Sequence, residues 1–207
     1  MIPRIIHHIW VGPPLPHRLG PYIDSWRTLH PDWEHRFHTG FDDLQNQAMY
    51  DNAEAITPHV GQLRSDLARY ELLYRDGGVY VDCDMEALRP LDDLLDAPCF
   101  MGWEQQGQWV NNAIIGAEPG HPLMRSLIEQ APGNIRRHRG ERPNRMTGPH
   151  LLTPLARGRD DVAIHDEAVF YPLHWSQVGQ DEDVELDGSY AVHWWDNTRK
   201  RRGLVDA

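Results

Sequence analysis

Two aspartates separated by one residue, Asp82 and Asp84 in the run GGVYVDCDMEAL (77–88), are the first candidates for chemistry. Converging carboxylates repel each other unless a cation or hydrogen-bond donors compensate, and their oxygens suit Mg2+ or Mn2+. Spacing by itself carries no weight. Random placement of the chain's 20 aspartates yields about two Asp-x-Asp triplets, and the chain has two. The other, Asp181/Asp183, lies in GQDEDVELDG and reads as an acidic loop between glycines. The elements that carry each pair must decide between them.

Around the first pair, Val79, Val81, Cys83 and Met85 alternate with Tyr80, Asp82, Asp84 and Glu86. This is the period of a strand, and it would place both aspartates on one side near the carboxyl end, where open α/β sheets bind ligands. Upstream, Leu63, Leu67, Tyr70 and Tyr74 recur at the spacing of one helix face, and Gly77-Gly78 supplies the stop. Asp66 and Arg69 lie three residues apart on that helix and share a face. Spacing alone fits an intrahelical ion pair worth only ~0.3–0.5 kcal/mol as well as it fits a ligand-binding pair.

Elsewhere RIIHHIWV (4–11) reads as a strand ending at Gly12-Pro13-Pro14, residues 16–29 as a helix, WEHRFHT (33–39) as a strand and 41–56 as a helix. Further strands are expected at 99–103, 112–116, 162–165, 169–174 and 190–195, with helices after Gly120-His121-Pro122 and Gly148-Pro149. Alternation of this kind predicts an α/β domain with helices on both faces of the sheet. GNIRRHRGERPNRMT (133–147) reads as an exposed basic loop and TRKRRGLVDA as a loose tail, giving one domain over 1–198 and a basic tail over 199–207.

A length of 207 residues fits one core that buries roughly 70% of the unfolded surface. The net charge of −11 argues against a general nucleic-acid binder, which needs a basic face for phosphates. Two cysteines, Cys83 and Cys99, are too few for a disulfide framework. The opening MIPRIIHHIWVGPPLP lacks the regions of a secretory signal, and no run approaches the ~18–20 apolar residues of a membrane span. A cytoplasmic protein is expected, with at most peripheral contact between the two basic segments and an anionic acceptor or the inner membrane face. His7 and His8 are expected to be structural.

The run SDLARYELLYRDGGVYVDCDMEALRPLD (65–92) closely resembles the sugar-nucleotide-binding region of the DXD-containing glycosyltransferase family. That family includes the yeast initiating α-1,6-mannosyltransferase and many bacterial capsule and lipopolysaccharide enzymes, and more distantly resembles the large clostridial glucosylating toxins. IPRIIHHIWVG with SWRTLHPDWEHRFH resembles the family's first strand–helix–strand, and NNAIIGAEPGHP, TGPHLLT and YAVHWWDNT continue the likeness more weakly.

The resemblance implies a GT-A-type, Rossmann-like single domain with a central mostly parallel sheet. It implies a UDP- or GDP-linked sugar donor, a Mn2+ or Mg2+ ion, and a hydroxyl acceptor on a glycan, lipid-linked group or small molecule. Transfer with retention of anomeric configuration follows the same likeness. Asp84 is the implied metal ligand, with Asp82 on the metal, its bound water or the ribose. Asp66 would accept from sugar hydroxyls, and Arg69 would offer its fork to diphosphate or sugar oxygens. Trp10 is a candidate to stack on the base, and Tyr80 to line the cleft. Asn111 and Asn112 fall near the donor sugar and acceptor, and Trp194 and Trp195 close over the diphosphate. His193 completes the metal shell, with Asn197 as the fallback. Two alternatives remain: a phosphoryl-transfer enzyme or hydrolase using the same aspartates, or a non-catalytic nucleotide-sugar or carbohydrate-binding protein. Glu86 and Glu104 lie near the motif without an assignable role as a base.

Overall fold

The computed structural model describes residues 1–105, 107–181 and 184–206. The first half runs β1 (Ile5–Ile9), a 3-10 turn at His17–Leu19, α1 (Gly20–Leu29), β2 (Glu34–His38), α2 (Gln47–Asp51), α3 (Ala53–Ile56), α4 (Val60–Asp76), β3 (Gly78–Val81) and β4 (Met85–Ala87). It continues through β5 (Cys99–Gln105), β6 (Trp109–Ala117), α5 (Pro122–Arg137), α6 (Pro143–Met146) and α7 (Pro149–Ala156). β7 (Ala163–His165), α8 (Glu167–Phe170), β8 (Ala191–His193) and α9 (Asp196–Arg201) complete it.

A six-stranded sheet in the order β2-β1-β3-β6-β5-β7 forms the centre, and β4 and β8 form a separate two-stranded sheet. β1 runs parallel to β2 and β3, and β5 parallel to β7, while β6 lies antiparallel between β3 and β5. The expected α/β architecture is therefore present. Alternation along β3 separates two cores: Tyr80 joins Leu67 and Tyr70 of α4 and Leu127 of α5, while Val79 and Val81 join Ile6, Trp26 and Phe100.

The glycine stop after α4 has two causes. Gly77 caps the helix at φ 66°, its N–H reaching the Leu73 carbonyl, and a Cβ there would lie 2.6 Å from Cδ of Pro119. Gly78 follows at φ 95°, where a Cβ would meet the Ile5 carbonyl at 2.7 Å. Both the left-handed backbone and the close strand contact require glycine.

Several expectations are corrected. The strand expected over 79–86 breaks after Val81, and Met85–Ala87 pairs with Ala191–His193 instead of the central sheet. The helix expected at 41–56 begins only at Gln47, because the Gln45 and Asn46 N–H groups bond to the Glu71 carboxylate, at 2.5 and 2.9 Å. The strand expected at 169–174 is replaced at its start by α8.

The basic loop expected at 133–147 is largely helical. α5 continues through Pro132-Gly133 to Arg137, and α6 spans Pro143–Met146. A proline inside a helix leaves the carbonyl four residues earlier without its donor. Here that carbonyl, of Ile128, accepts from Asn46 Nδ2 at 3.0 Å. The expected loose tail is also ordered over its first part: α9 crosses residue 198, and Arg202 bonds to the carbonyls of Val178 and Ser176. Asp183 of the second Asp-x-Asp pair lies outside the described residues.

His7 and His8 are interior, as expected. The His7 ring bonds to the Gly77 carbonyl and His38, and His8 to the Val81 carbonyl at 3.0 Å. Burial pushes their pKa values down to about 4 and about 3. An unfolded histidine binds its proton near ~6.5, so below that pH the unfolded chain holds more protons, and stability is lost as pH falls towards the folded values. Urea titrations should therefore show unfolding free energy declining from about pH 6.5 downwards, and His8→Asn should flatten that decline by about one proton. Packing supplies a second expectation. A Cβ at Gly116 would lie 2.1 Å from the Phe100 ring, inside a filled core. Gly116→Ala should lower the unfolding free energy by about 1–3 kcal/mol, read from the denaturation midpoint.

Candidate active site

The site forms where the chain leaves the central sheet. The Asp82 N–H extends the β3–β6 ladder by bonding to the Ala113 carbonyl at 2.8 Å, and the Asp82 carbonyl then accepts from Met85 N–H at 3.1 Å. This turn, rather than one side of a continuous strand, brings the two carboxylates together. α1 secures the exit: the Trp26 indole donates to the Met85 carbonyl at 2.8 Å, and the Ala87 N–H donates to Ser25 Oγ at 2.9 Å.

β4 then pairs with β8, with Met85 opposite His193. That register carries His193 to Asp84, 109 residues away, where Nε2 lies 3.1 Å from Oδ1. The other oxygen, Asp84 Oδ2, accepts the backbone N–H of Asp196 at 2.9 Å. Asp82, Asp84 and His193 each offer one ligand atom, and these atoms lie within 4.8 Å of one another. Nδ1 of His193 is buried without a hydrogen-bond partner. Two carboxylates and one imidazole at this separation form a donor set that fits a single divalent cation. Asn197 is exposed on α9.

Electrostatics separates the two aspartates. Burial pushes the Asp84 carboxyl up, but the His193 charge and hydrogen bond, with the Asp196 N–H, outweigh it and hold Asp84 below the usual range. Burial and then the neighbouring Asp84 charge raise Asp82, despite the opposing pull of Arg69. Burial alone would lower His193, and the Asp84 carboxylate reverses this and raises it.

Behind the pair lies a buried charged cluster. Arg69, 3% exposed at its side chain, places Nη2 3.0 Å from Asp66 Oδ1 and 3.2 Å from Asp82 Oδ1. Its Nη1 donates to the Asn112 carbonyl, and its guanidinium lies over the Tyr80 ring at 4.2 Å. Tyr80 in turn donates its hydroxyl to Asp82 Oδ1 at 2.5 Å. Asp66 also accepts from Thr147 Oγ1 at 2.7 Å and Asn112 Nδ2 at 3.0 Å. Arg69 and Asp66 thus spend their polar atoms on protein partners. Both back Asp82 from behind the turn.

The remaining candidates divide by position. Asn111 donates to Glu104 Oε2 at 2.7 Å and accepts the Ala113 N–H, so the β5–β6 hairpin holds Asn111 and Glu104 together. Trp10 packs with Leu19, Ile23 and Cys83, beside the aspartate turn, and its indole donates to the Pro13 carbonyl. Trp194 donates to Glu86 Oε2 at 2.8 Å, stacks near Tyr22 and lies beneath the Arg199 guanidinium. Trp195 lies 3.9 Å from the His193 ring, centre to centre, and donates to the Leu173 carbonyl. Outside glycine, it is the one described residue with positive φ, at 56°. Such strain persists where surrounding structure enforces it, here the ring contact and the turn into α9.

Sequence reasoning missed several partners. Thr147 fell inside the supposed loop, and Tyr70, whose hydroxyl donates to the Thr147 carbonyl at 2.6 Å and receives Asn112 Nδ2, read only as a core aromatic. Arg18 and Asp196 form a two-pronged pair at 2.8 and 3.1 Å that ties the 3-10 turn to α9. No spacing signal could have joined residues 178 positions apart.

Known proteins resemble this chain in sequence and in fold. Residues 16–101 match the family described as glycosyltransferase sugar-binding region containing DXD motif. Inositol phosphoceramide mannosyltransferase 1 of Schizosaccharomyces pombe is 31% identical over 135 residues, covering 61% of this chain and 42% of that relative. The chain spans about two fifths of the length of such curated relatives. Among solved structures, the galactosyltransferase LgtC in complex with donor and acceptor sugar analogs matches with a TM-score of 0.52 at 12% identity, covering 98% of this chain and 96% of that one. The UDP-bound glycosyltransferase domain of the YGT toxin matches with a TM-score of 0.56 at 12% identity, covering 79% of each. Residues 16–101 thus match the sugar-binding region of DXD-containing glycosyltransferases, and the chain shares the GT-A fold of the solved glycosyltransferases.

Proposed function

We propose that the protein transfers a sugar from a nucleoside diphosphate to a hydroxyl acceptor, using a divalent metal ion and retaining the anomeric configuration. The observation that carries this reading is the convergence of Asp82, Asp84 and His193 within 4.8 Å at the end of a central strand. A divalent ion held by these three side chains supplies Lewis-acid stabilisation for the charge that develops on the departing diphosphate. The imidazole favours Mn2+ over Mg2+, because Mg2+ demands hard oxygen ligands.

The chain's own residues divide the remaining work. Asp84 would meet the cation as a carboxylate and His193 as a neutral imidazole, so the cation would displace the proton that the Asp84–His193 pair favours. Arg69 and Tyr80 fix the rotamer of Asp82, so that little reorganisation remains when the donor arrives. Trp10 offers an indole face beside the aspartate turn for the base, and Trp194 and Trp195 flank the diphosphate side. Asn111 and Asn112 on β6, with Glu104 opposite, border the sugar and acceptor. No protein nucleophile is assigned. A front-side displacement, in which the departing phosphate takes the acceptor proton, rests on positioning and needs none.

The UDP bound by the YGT toxin domain supports a uridine nucleotide as the donor carrier, and the yeast relative's name supports a phosphate-bearing lipid acceptor. No described helix is long and apolar enough to cross a membrane.

Two substitutions separate the cation-binding role from the supporting one. Asp84→Asn keeps an oxygen for the Asp196 N–H. It should leave the melting temperature within a few degrees while abolishing the Mn2+-dependent thermal shift caused by UDP or GDP. Normal metal-dependent nucleotide binding by a folded Asp84→Asn protein would sink the ligand assignment. Arg69→Met, by contrast, leaves the buried Asp66 carboxylate without its guanidinium partner. It should cost about 3–5 kcal/mol of stability in urea titration, because an uncompensated buried charge is left behind.

A further inference from the structure

The chain has a formal charge of −11, yet residues 136–145 hold five arginines and one glutamate. All five side chains, Arg136, Arg137, Arg139, Arg142 and Arg145, are exposed along the end of α5, the connecting turn and α6. Glu141 accepts from Arg145 and His138, and Arg139 donates to the Ala55 carbonyl. Arg136, Arg137 and Arg142 form no ion pair among the described residues. The other basic segment differs. Arg199 pairs with Asp181 at 2.6 Å and Lys200 with Asp196 at 3.3 Å. Arg201 donates to Thr198, and Arg202 to the carbonyls of Val178 and Ser176. The 199–202 segment is spent on the fold, whereas Arg136, Arg137 and Arg142 keep their charges without an acidic partner among the described residues.

The 136–145 segment borders a groove of about 370 Å3 lined by Arg137, His138, Arg145 and His150 together with apolar Pro154 and Leu155. Cationic heads beside apolar atoms suit an anionic amphiphile better than a fully hydrated polymer. The segment also adjoins the site. Thr147, directly after α6, bonds to Asp66, and His150 stacks at 4.0 Å on Trp109, which opens the strand carrying Asn111 and Asn112. Charges farther than the ~8 Å screening length at physiological salt contribute little, so the acidic remainder of the surface does not cancel the patch.

We propose that the α5–α6 arginine hairpin docks the protein on the anionic phospholipid surface of a bilayer. The docking does not depend on the glycosyl-transfer reading, because it is measured without a sugar donor. An arginine held near such a surface strengthens binding about fivefold, so removing three should weaken it about 100-fold. Co-sedimentation with vesicles of phosphatidylcholine, alone or mixed with phosphatidylglycerol, reads this directly. The protein should bind the mixed vesicles and not the neutral ones, and lose binding as salt rises. Arg136→Gln/Arg137→Gln/Arg142→Gln should lose binding with an unchanged melting temperature, whereas Arg4→Gln/Arg27→Gln should bind as the parent does. Should the triple variant fail to fold, Arg142→Gln alone should show about a fivefold loss. Equal binding to neutral vesicles, no binding to anionic ones, or full binding by the folded triple variant overturns the proposal. Retention on immobilised heparin without vesicle binding also overturns it, and assigns the patch to a polyanionic glycan.

Discussion

The buried guanidinium of Arg69 is the constraint on which the site depends. It lies between two carboxylates, with a backbone carbonyl and an aromatic face completing its surroundings. A buried ion cluster of this kind is weak evidence for stability, because desolvation offsets most of the attraction. Its consequence is geometric. Arg69 joins Asp66 on α4, Asp82 after β3 and the Asn112 carbonyl on β6, and Asp66 in turn holds Thr147 before α7, so four segments are fixed relative to one another. Asp82 consequently presents its carboxylate in one orientation at the edge of the cleft.

The second device is the change of sheet at Asp82. Had the strand continued, Asp82 and Asp84 would sit side by side on the central sheet, far from any histidine supplied by the C-terminal segment. The turn sends Met85–Ala87 into a two-stranded sheet with Ala191–His193, and that pairing delivers the third side chain. Arg18–Asp196 and the Trp195 contacts hold α9 against the same point. The site is thus assembled from both ends of the chain around one central turn.

Part of this was legible in the residues. The helix face of Leu63, Leu67 and Tyr70, the Gly77-Gly78 stop and the alternation along Val79–Val81 are local, and each appeared where periodicity and backbone freedom place it. The errors share a cause as well. The loop expected from Gly133 onwards is helix as far as Arg137, because Asn46 from a distant loop satisfies the Ile128 carbonyl that Pro132 leaves free. Asp42 and Asp43 suit a helix start, but Glu71 takes the following amide groups. Tertiary partners decided both.

By itself the sequence determined the element types that propensity and period control, and the blocks that carry the family likeness. It could nominate Asp66, Arg69, Asp82, Asp84 and His193 one at a time. Tertiary structure decided what each does, because burial and partnership are properties of position in space. Arg69 and Asp66 became partners behind Asp82, and Asp84 and His193 became neighbours through a strand pairing that spacing along the chain does not encode.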